Sequence, residues 1–148
     1  MPRIFLRAAG EADLPFLRAL RAQSMRVHLE RVGVPYEAQA QEARVLYRLD
    51  CARIVVSDGA EVGLLKVDRE REPWELIQIQ LLPACRGQGL GETLIRDLLA
   101  EAATAGADVE LSVLKGNPAQ RLYARLGFRA VGEDALAETL RWSVLDAA

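Results

Sequence analysis

Apolar positions along the chain switch between a period of two and a helical period, and each switch falls at a residue that breaks or caps an element. Arg3 to Ala8 reads as a short strand closed by Gly10. Asp13 is suited to cap a helix on which Leu14, Leu17 and Leu20 recur at helical spacing, continuing toward Leu29. Gly33-Val34-Pro35 stops it. A second helix begins near Tyr36 or Glu37 and carries Ala40, Ala43, Val45, Leu46 and Leu49. Arg53 to Ser57 and Glu61 to Val67 are strands joined by an Asp58-Gly59 hairpin turn. In the strand Trp74 to Leu82, Leu76, Gln78 and Gln80 alternate against Ile77, Ile79 and Leu81. Pro83 has no amide to donate and ends that strand. Leu90, Leu94, Ile95, Leu98, Leu99 and Ala102 outline an amphipathic helix that stops at Gly106. Val109 to Leu114 is a strand, Pro118 to Leu126 a short helix ended by Gly127, and Phe128 to Val131 and Thr139 to Val144 are the last strands. The order β-α-α-β-β-β-α-β-α-β-β predicts a mixed α/β domain, one sheet with helices on its faces.

Composition narrows what such a domain does. The chain has 148 residues, 51% of them apolar and 27% charged, the balance of a soluble globular protein. Nothing in it reads as a repeat, a low-complexity block or a linker, so residues 1–148 are taken as a single domain. Nineteen basic side chains against 21 acidic ones leave a net charge of −2, which argues against a broad nucleic-acid surface. The cysteines, Cys51 and Cys85, stand far apart, so neither a disulfide framework nor a structural zinc site is expected, and no metal is implied. The first residues interleave Arg3, Arg7, Glu11 and Asp13 with apolar ones and do not form a signal peptide. The longest uncharged stretch, Leu76 to Cys85, is far too short to span a bilayer. These features predict a cytoplasmic protein with no membrane or nucleic-acid partner.

The segment Leu81-Leu82-Pro83-Ala84-Cys85-Arg86-Gly87-Gln88-Gly89-Leu90-Gly91 carries the most chemistry. A strand ends, a glycine-rich turn follows, and a helix starts at once. That arrangement gathers free backbone N–H groups at the positive end of a helix dipole, a ready anion site. Glycines also simply permit a tight turn, so the segment alone leaves both readings open. A dinucleotide-binding fingerprint is excluded because the glycines follow the fourth strand and do not form GxGxxG, and a Walker loop because no Gly-Lys-Ser/Thr follows.

A second segment decides between them. Val113-Leu114-Lys115-Gly116-Asn117-Pro118-Ala119 leads through Leu122-Tyr123 to Leu126-Gly127-Phe128. Together the two segments resemble the GCN5-related N-acetyltransferase (GNAT) superfamily, most of all small bacterial members with a Val-Leu-Lys-x-Asn-Pro-Ala stretch. Arg86-x-x-Gly89-x-Gly91 matches the family's coenzyme A pyrophosphate loop, and Asn117 to Phe128 its second acetyl-CoA motif. The resemblance covers Ile54 to Phe128, with the amino-terminal strand and two helices in the place of the family's variable substrate-side region. It implies a single mixed, mostly antiparallel sheet with helices on both faces, acetyl-CoA as co-substrate, and an amine-bearing small molecule or peptide as acceptor. A catalytically silent acyl-CoA-binding or sensing module is the alternative. Family members often pair, and the late strands are able to join across two chains, so a homodimer is a further expectation.

The resemblance also implies roles. The backbone amide of Leu81 would polarise the thioester carbonyl and stabilise its oxyanion. Ile79, Gln80 and Leu82 would flank the acetyl and pantetheine arm. Arg86, Gly87, Gln88, Gly89, Leu90, Gly91 and Glu92 would surround the pyrophosphate. Asn117, Ala119 and Leu122 would meet the pantetheine, with Asn117 equally able to cap its helix. Tyr123 would return a proton to the departing thiolate, since a phenol stays protonated at neutral pH. Glu75 occupies the strand position where some members keep a catalytic glutamate; a solvated strand-edge carboxylate is the other reading. Gln78 and Gln80 stand where a direct base would be more central, which favours a water relay. His28, on the first helix, and Tyr36, Tyr47 and Trp74 are further candidates for an acceptor pocket, although surface and core roles account for such residues as well. Cys85 adjoins the loop, where amides and Arg86 would lower a thiol's pKa.

Overall fold

The computed structural model describes residues 3–147. Ile4–Ala8 (β1), Ala52–Ser57 (β2), Ala60–Asp68 (β3), Trp74–Leu81 (β4), Val109–Leu114 (β5), Arg129–Glu133 (β6) and Ala137–Trp142 (β7) form one seven-stranded sheet in the order β1-β2-β3-β4-β5-β7-β6. Neighbours run antiparallel except β4 and β5. A parallel pair needs a crossover, and the helix Leu90–Ala105 (α3) supplies it. Leu14–Arg31 (α1), Ala38–Leu46 (α2) and Ala119–Arg125 (α4) complete the helices. The fold class is the expected one: a mixed, mostly antiparallel sheet with helices on both faces.

Alternation along the strands divides the apolar residues between two cores. Val55, Leu65 and Val109 pack with Leu94, Ile95 and Leu98 of α3. Ile54, Val56 and Leu64 face the other way, onto Leu17 and Leu20 of α1 and Val45 of α2.

Several boundaries depart from the periodicity, each for a local reason. Asp13 stands at the N-cap position of α1 but makes no capping bond to it: its carboxylate turns back to the Gly10 N–H at 2.9 Å and to Arg7 at 2.7 Å. Leu49 lies beyond α2, which ends at Leu46 because buried Lys66 of β3 donates from Nζ to the carbonyls of Arg44, Val45 and Tyr47. Leu82 stands past the end of β4, and Pro83–Cys85 form a 3-10 turn inside the glycine-rich loop. Phe128 is not in β6; it is buried edge-on against Tyr123, with ring centroids 5.6 Å apart. β7 starts and ends two residues earlier than the pattern suggests, because the Asp108 carboxylate takes the Val144 N–H at 2.9 Å and draws the chain off the sheet.

The departure that positions the site lies in β4. Lys66 pairs with Gln78, yet Val67 pairs with Leu76, so Ile77 is an extra residue, a bulge. The alternation expected from the sequence therefore breaks there. Leu76 shares the α3-side core with Ile79 and Leu81, whereas Gln78 and Gln80 turn to the α1 and α2 side. The β4–β5 ladder stops at the same point. It holds Trp74 to Val109, Glu75 to Glu110 and Leu76 to Leu111, and goes no further. Beyond it the two strands part.

Candidate active site

Two cavities meet in the gap. One, of about 370 Å³, lies on the α1 and α2 side between Ile77–Gln80 of β4 and Leu111–Leu114 of β5, and Arg21, Gln41 and Arg44 reach into it. The other, of about 320 Å³, runs toward the glycine-rich loop past Leu81, Arg86, Gly91 and Leu122. Met25, Ile79, Gln80, Asn117 and Tyr123 line both. A molecule entering from the loop and one entering from the α1–α2 side would therefore touch at these five residues.

The β4 backbone faces this junction. The Leu82 N–H donates to Val62 O of β3 at 2.8 Å. Along an antiparallel pair successive N–H groups point to opposite sides, so those of Leu81 and Ile79 point away from β3, into the space that β5 has left. Gln80 is buried, and its Oε1 finds no donor among the described residues. Tyr123 is buried at 6% exposure with its ring fixed by Phe128, and burial pushes its phenol up to about 12. It stays protonated throughout the neutral range. Asn117 accepts the Ala119 N–H at 2.9 Å on Oδ1, so it caps α4 while lining both cavities.

At the far end of the second cavity the loop turns through Gly87 and Gly89 at φ of +77° and +78°, a backbone that glycine adopts without strain. From Gly87 to Glu92 no N–H meets an acceptor among the described residues, and they gather at the start of the 16-residue α3. Such a turn attracts anions. Arg86 braces it: Nε donates to Leu81 O at 3.3 Å and a terminal nitrogen to Ser24 Oγ at 3.2 Å, tying loop, β4 and α1 together. Glu92 is held by Arg96 at 3.0 Å and by Arg125, which keeps its carboxyl below the usual range. Gln88 donates to Ala84 O at 3.4 Å.

The remaining sequence candidates lie elsewhere. Glu75 lines neither cavity and pairs with Arg71 at 3.1 Å. Leu82 packs against the α1–α2 core. Tyr36 lies under the Arg26 guanidinium, Tyr47 is half exposed, and Trp74 is buried near Arg69. Cys85 is a free thiol packed on the α3-side core. His28 does line the second cavity; burial, Arg31 and Arg86 hold its imidazole below the usual range, favouring the neutral ring. Arg21, Met25, Gln41 and Arg44 were not singled out by the sequence, although two carried a signal. Arg21 follows Leu17 by four residues and Gln41 precedes Val45 by four, so each is a polar residue where the helical period calls for an apolar one. Among the described residues no group of three or more His, Cys, Asp and Glu side chains stands close enough to hold a metal ion, and no helix is long and apolar enough to cross a membrane.

A family model described as an acetyltransferase (GNAT) domain matches residues 22–143. The chain belongs to the GNAT acetyltransferase family. Solved structures share its fold at low identity. The PaiA N-acetyltransferase of Thermoplasma acidophilum, crystallised with coenzyme A, matches with a TM-score of 0.76 at 16% identity over 95% of this chain and 99% of that one. An acetyltransferase of Thermus thermophilus gives 0.73 at 20% identity over 93% and 95%. The ribosomal-protein-S18-alanine N-acetyltransferase of Escherichia coli gives 0.70 at 18% over 96% and 94%. This GNAT protein is accordingly an acyltransferase.

Proposed function

We propose that the protein, a single GNAT domain over residues 1–148, moves the acetyl group of acetyl-CoA directly to a primary amine. The observation that carries this reading is the shared lining of the two cavities, which puts Tyr123 and the free face of β4 where donor and acceptor would meet. The amides from Gly87 to Glu92 hold the pyrophosphate, and the pantetheine runs through the second cavity past Leu122 and Ala119. The Leu81 N–H binds the thioester oxygen and stabilises the oxyanion as it forms. The amine nitrogen attacks the carbonyl carbon, the C–S bond breaks, and the thiolate takes the Tyr123 proton. The proton lost by the amine passes to water held near Gln78 and Gln80 and returns through solvent to the tyrosinate. No carboxylate lines either cavity among the described residues, and Glu75 is turned away, so a water relay carries that proton.

Calorimetric titration with acetyl-CoA, followed by thiol release against a panel of amines, tests the reading. Micromolar binding with turnover is expected. Tyr123→Phe is expected to lower kcat at least tenfold while leaving acetyl-CoA affinity intact. Binding without turnover on any amine would favour the silent acyl-CoA-binding module instead.

A further inference from the structure

The cavity on the α1–α2 side is lined by cations that no anion answers. Arg21 is buried at 4% exposure; its Nε donates to Gln41 Oε1 at 2.7 Å, and its two terminal nitrogens have no partner among the described residues. Arg44 also lines this cavity, stands near enough to disfavour the charge on Arg21, and forms no ion pair among the described residues. Lys66 stands behind them, wholly buried, its ammonium spent on the end of α2. Several arginines elsewhere do hold carboxylates: Arg18 meets Glu42 at 2.7 Å, and Arg141 meets Asp108 at 2.8 Å.

A largely buried guanidinium without an anion is costly, because it gives up most of its hydration and here receives only the neutral Gln41 oxygen in exchange. Burial and the nearby Arg44 bring Arg21 down to about 10, which still leaves it charged at neutral pH. Gln80 adds an independent observation at the inner end: a buried carbonyl oxygen with no donor, at the junction of the two cavities. The site thus lacks an anion at one end and an N–H at the other.

We infer that the acceptor is an amine carrying its own oxyanion, a carboxylate or a phosphate, which Arg21 and Arg44 hold while its nitrogen meets Gln80 Oε1 beside Tyr123. The inference rests on the acetyl-transfer reading and narrows its acceptor. Polycationic amines are repelled by the same pair of arginines.

The test begins with calorimetry of acetyl-CoA, which reports the acetyl-transfer reading alone; a protein that does not bind it fails that reading, whatever its acceptor cavity does. Thiol release is then compared within matched pairs, an amino acid against its carboxamide and phosphoethanolamine against ethanolamine, with spermidine as the polycation. The anionic member of at least one pair is expected to show kcat/KM at least tenfold higher, and the pair that responds says which oxyanion is used. Arg21→Met is expected to erase the preference and Arg21→Lys to keep part of it, acetyl-CoA affinity being unchanged in both. Arg44→Met, at an exposed position, serves where Arg21→Met does not fold. Neutral or polycationic amines matching the anionic ones, or a preference that survives loss of both arginines, overturns the inference. Where no amine on the panel turns over, binding of its anionic members to the coenzyme A complex is measured instead: binding that Arg21→Met abolishes supports the inference, and absence of binding overturns it.

Discussion

At the scale of single residues, Tyr123 shows how burial selects a chemical role. A phenol pushed up to about 12 cannot serve as a base at neutral pH and always has its proton to give. The folded protein keeps that proton between about pH 10 and 12, where an unfolded tyrosine would release it, so any stability tied to this group declines as pH rises through that window. Catalysis has a different signature. In the proposed scheme kcat rises with pH as the acceptor amine loses its proton and does not fall again until the phenol titrates at about 12. A fall in kcat centred below about pH 10, present in the wild type and missing in Tyr123→Phe, would contradict the assignment. Tyr123 was legible from the sequence because it stands six residues after Asn117 in a motif of fixed spacing. Arg21 belongs to no such motif, and its place is set by α2, which packs beside α1 and supplies Gln41.

Elements were legible in order and kind, and less so at their ends, because periodicity sees burial while boundaries are decided by single polar contacts. β7 illustrates this. Thr139 to Val144 alternates well enough to read as a strand to its end. Yet Asp108, just before β5, takes the Val144 N–H and both Nε and a terminal nitrogen of Arg141, and the chain leaves the sheet. These contacts hold the carboxyl below its usual value near 3.8. Asp108→Ala is expected to destabilise the protein by about 1–3 kcal/mol, since it removes bonds to a charged acceptor and leaves the Arg141 guanidinium only the longer contact to Glu110 at 3.6 Å. Thermal unfolding at neutral pH measures this. Because the folded pKa is depressed, the contribution is present above about pH 4 and is lost as pH falls further, so wild type and variant converge in acid.

For the molecule as a whole, the sheet is two antiparallel pieces joined at the three parallel pairs from Trp74 to Leu76, with α3 carrying the chain across. The glycine-rich loop and the Asn117 motif were readable as separate segments, whereas the gap that unites them was not, because nothing in the alternation of Leu76 to Leu81 announces a bulge. That bulge has a consequence best put in the language of reading frames. Ile77 is the letter that the frame of β4 skips: read without it, the strand alternates unbroken, with Leu76, Ile79 and Leu81 toward the α3-side core and the two glutamines toward α1 and α2. Deleting this one residue would join Leu76 to Gln78 and leave both pairings as they are, Val67 with Leu76 and Lys66 with Gln78, so every later side chain keeps its face while the bend in the strand is lost. β4 would then run straight on beside β5, and the gap into which the Ile79 and Leu81 amides point would narrow. Deletion of Ile77 is therefore expected to lower turnover strongly by closing the site while the protein still folds, whereas deletion of Glu70, on the exposed turn before β4, leaves turnover near that of the wild type. In this fold the acceptor chemistry is encoded by the count of residues in one strand as much as by their identity.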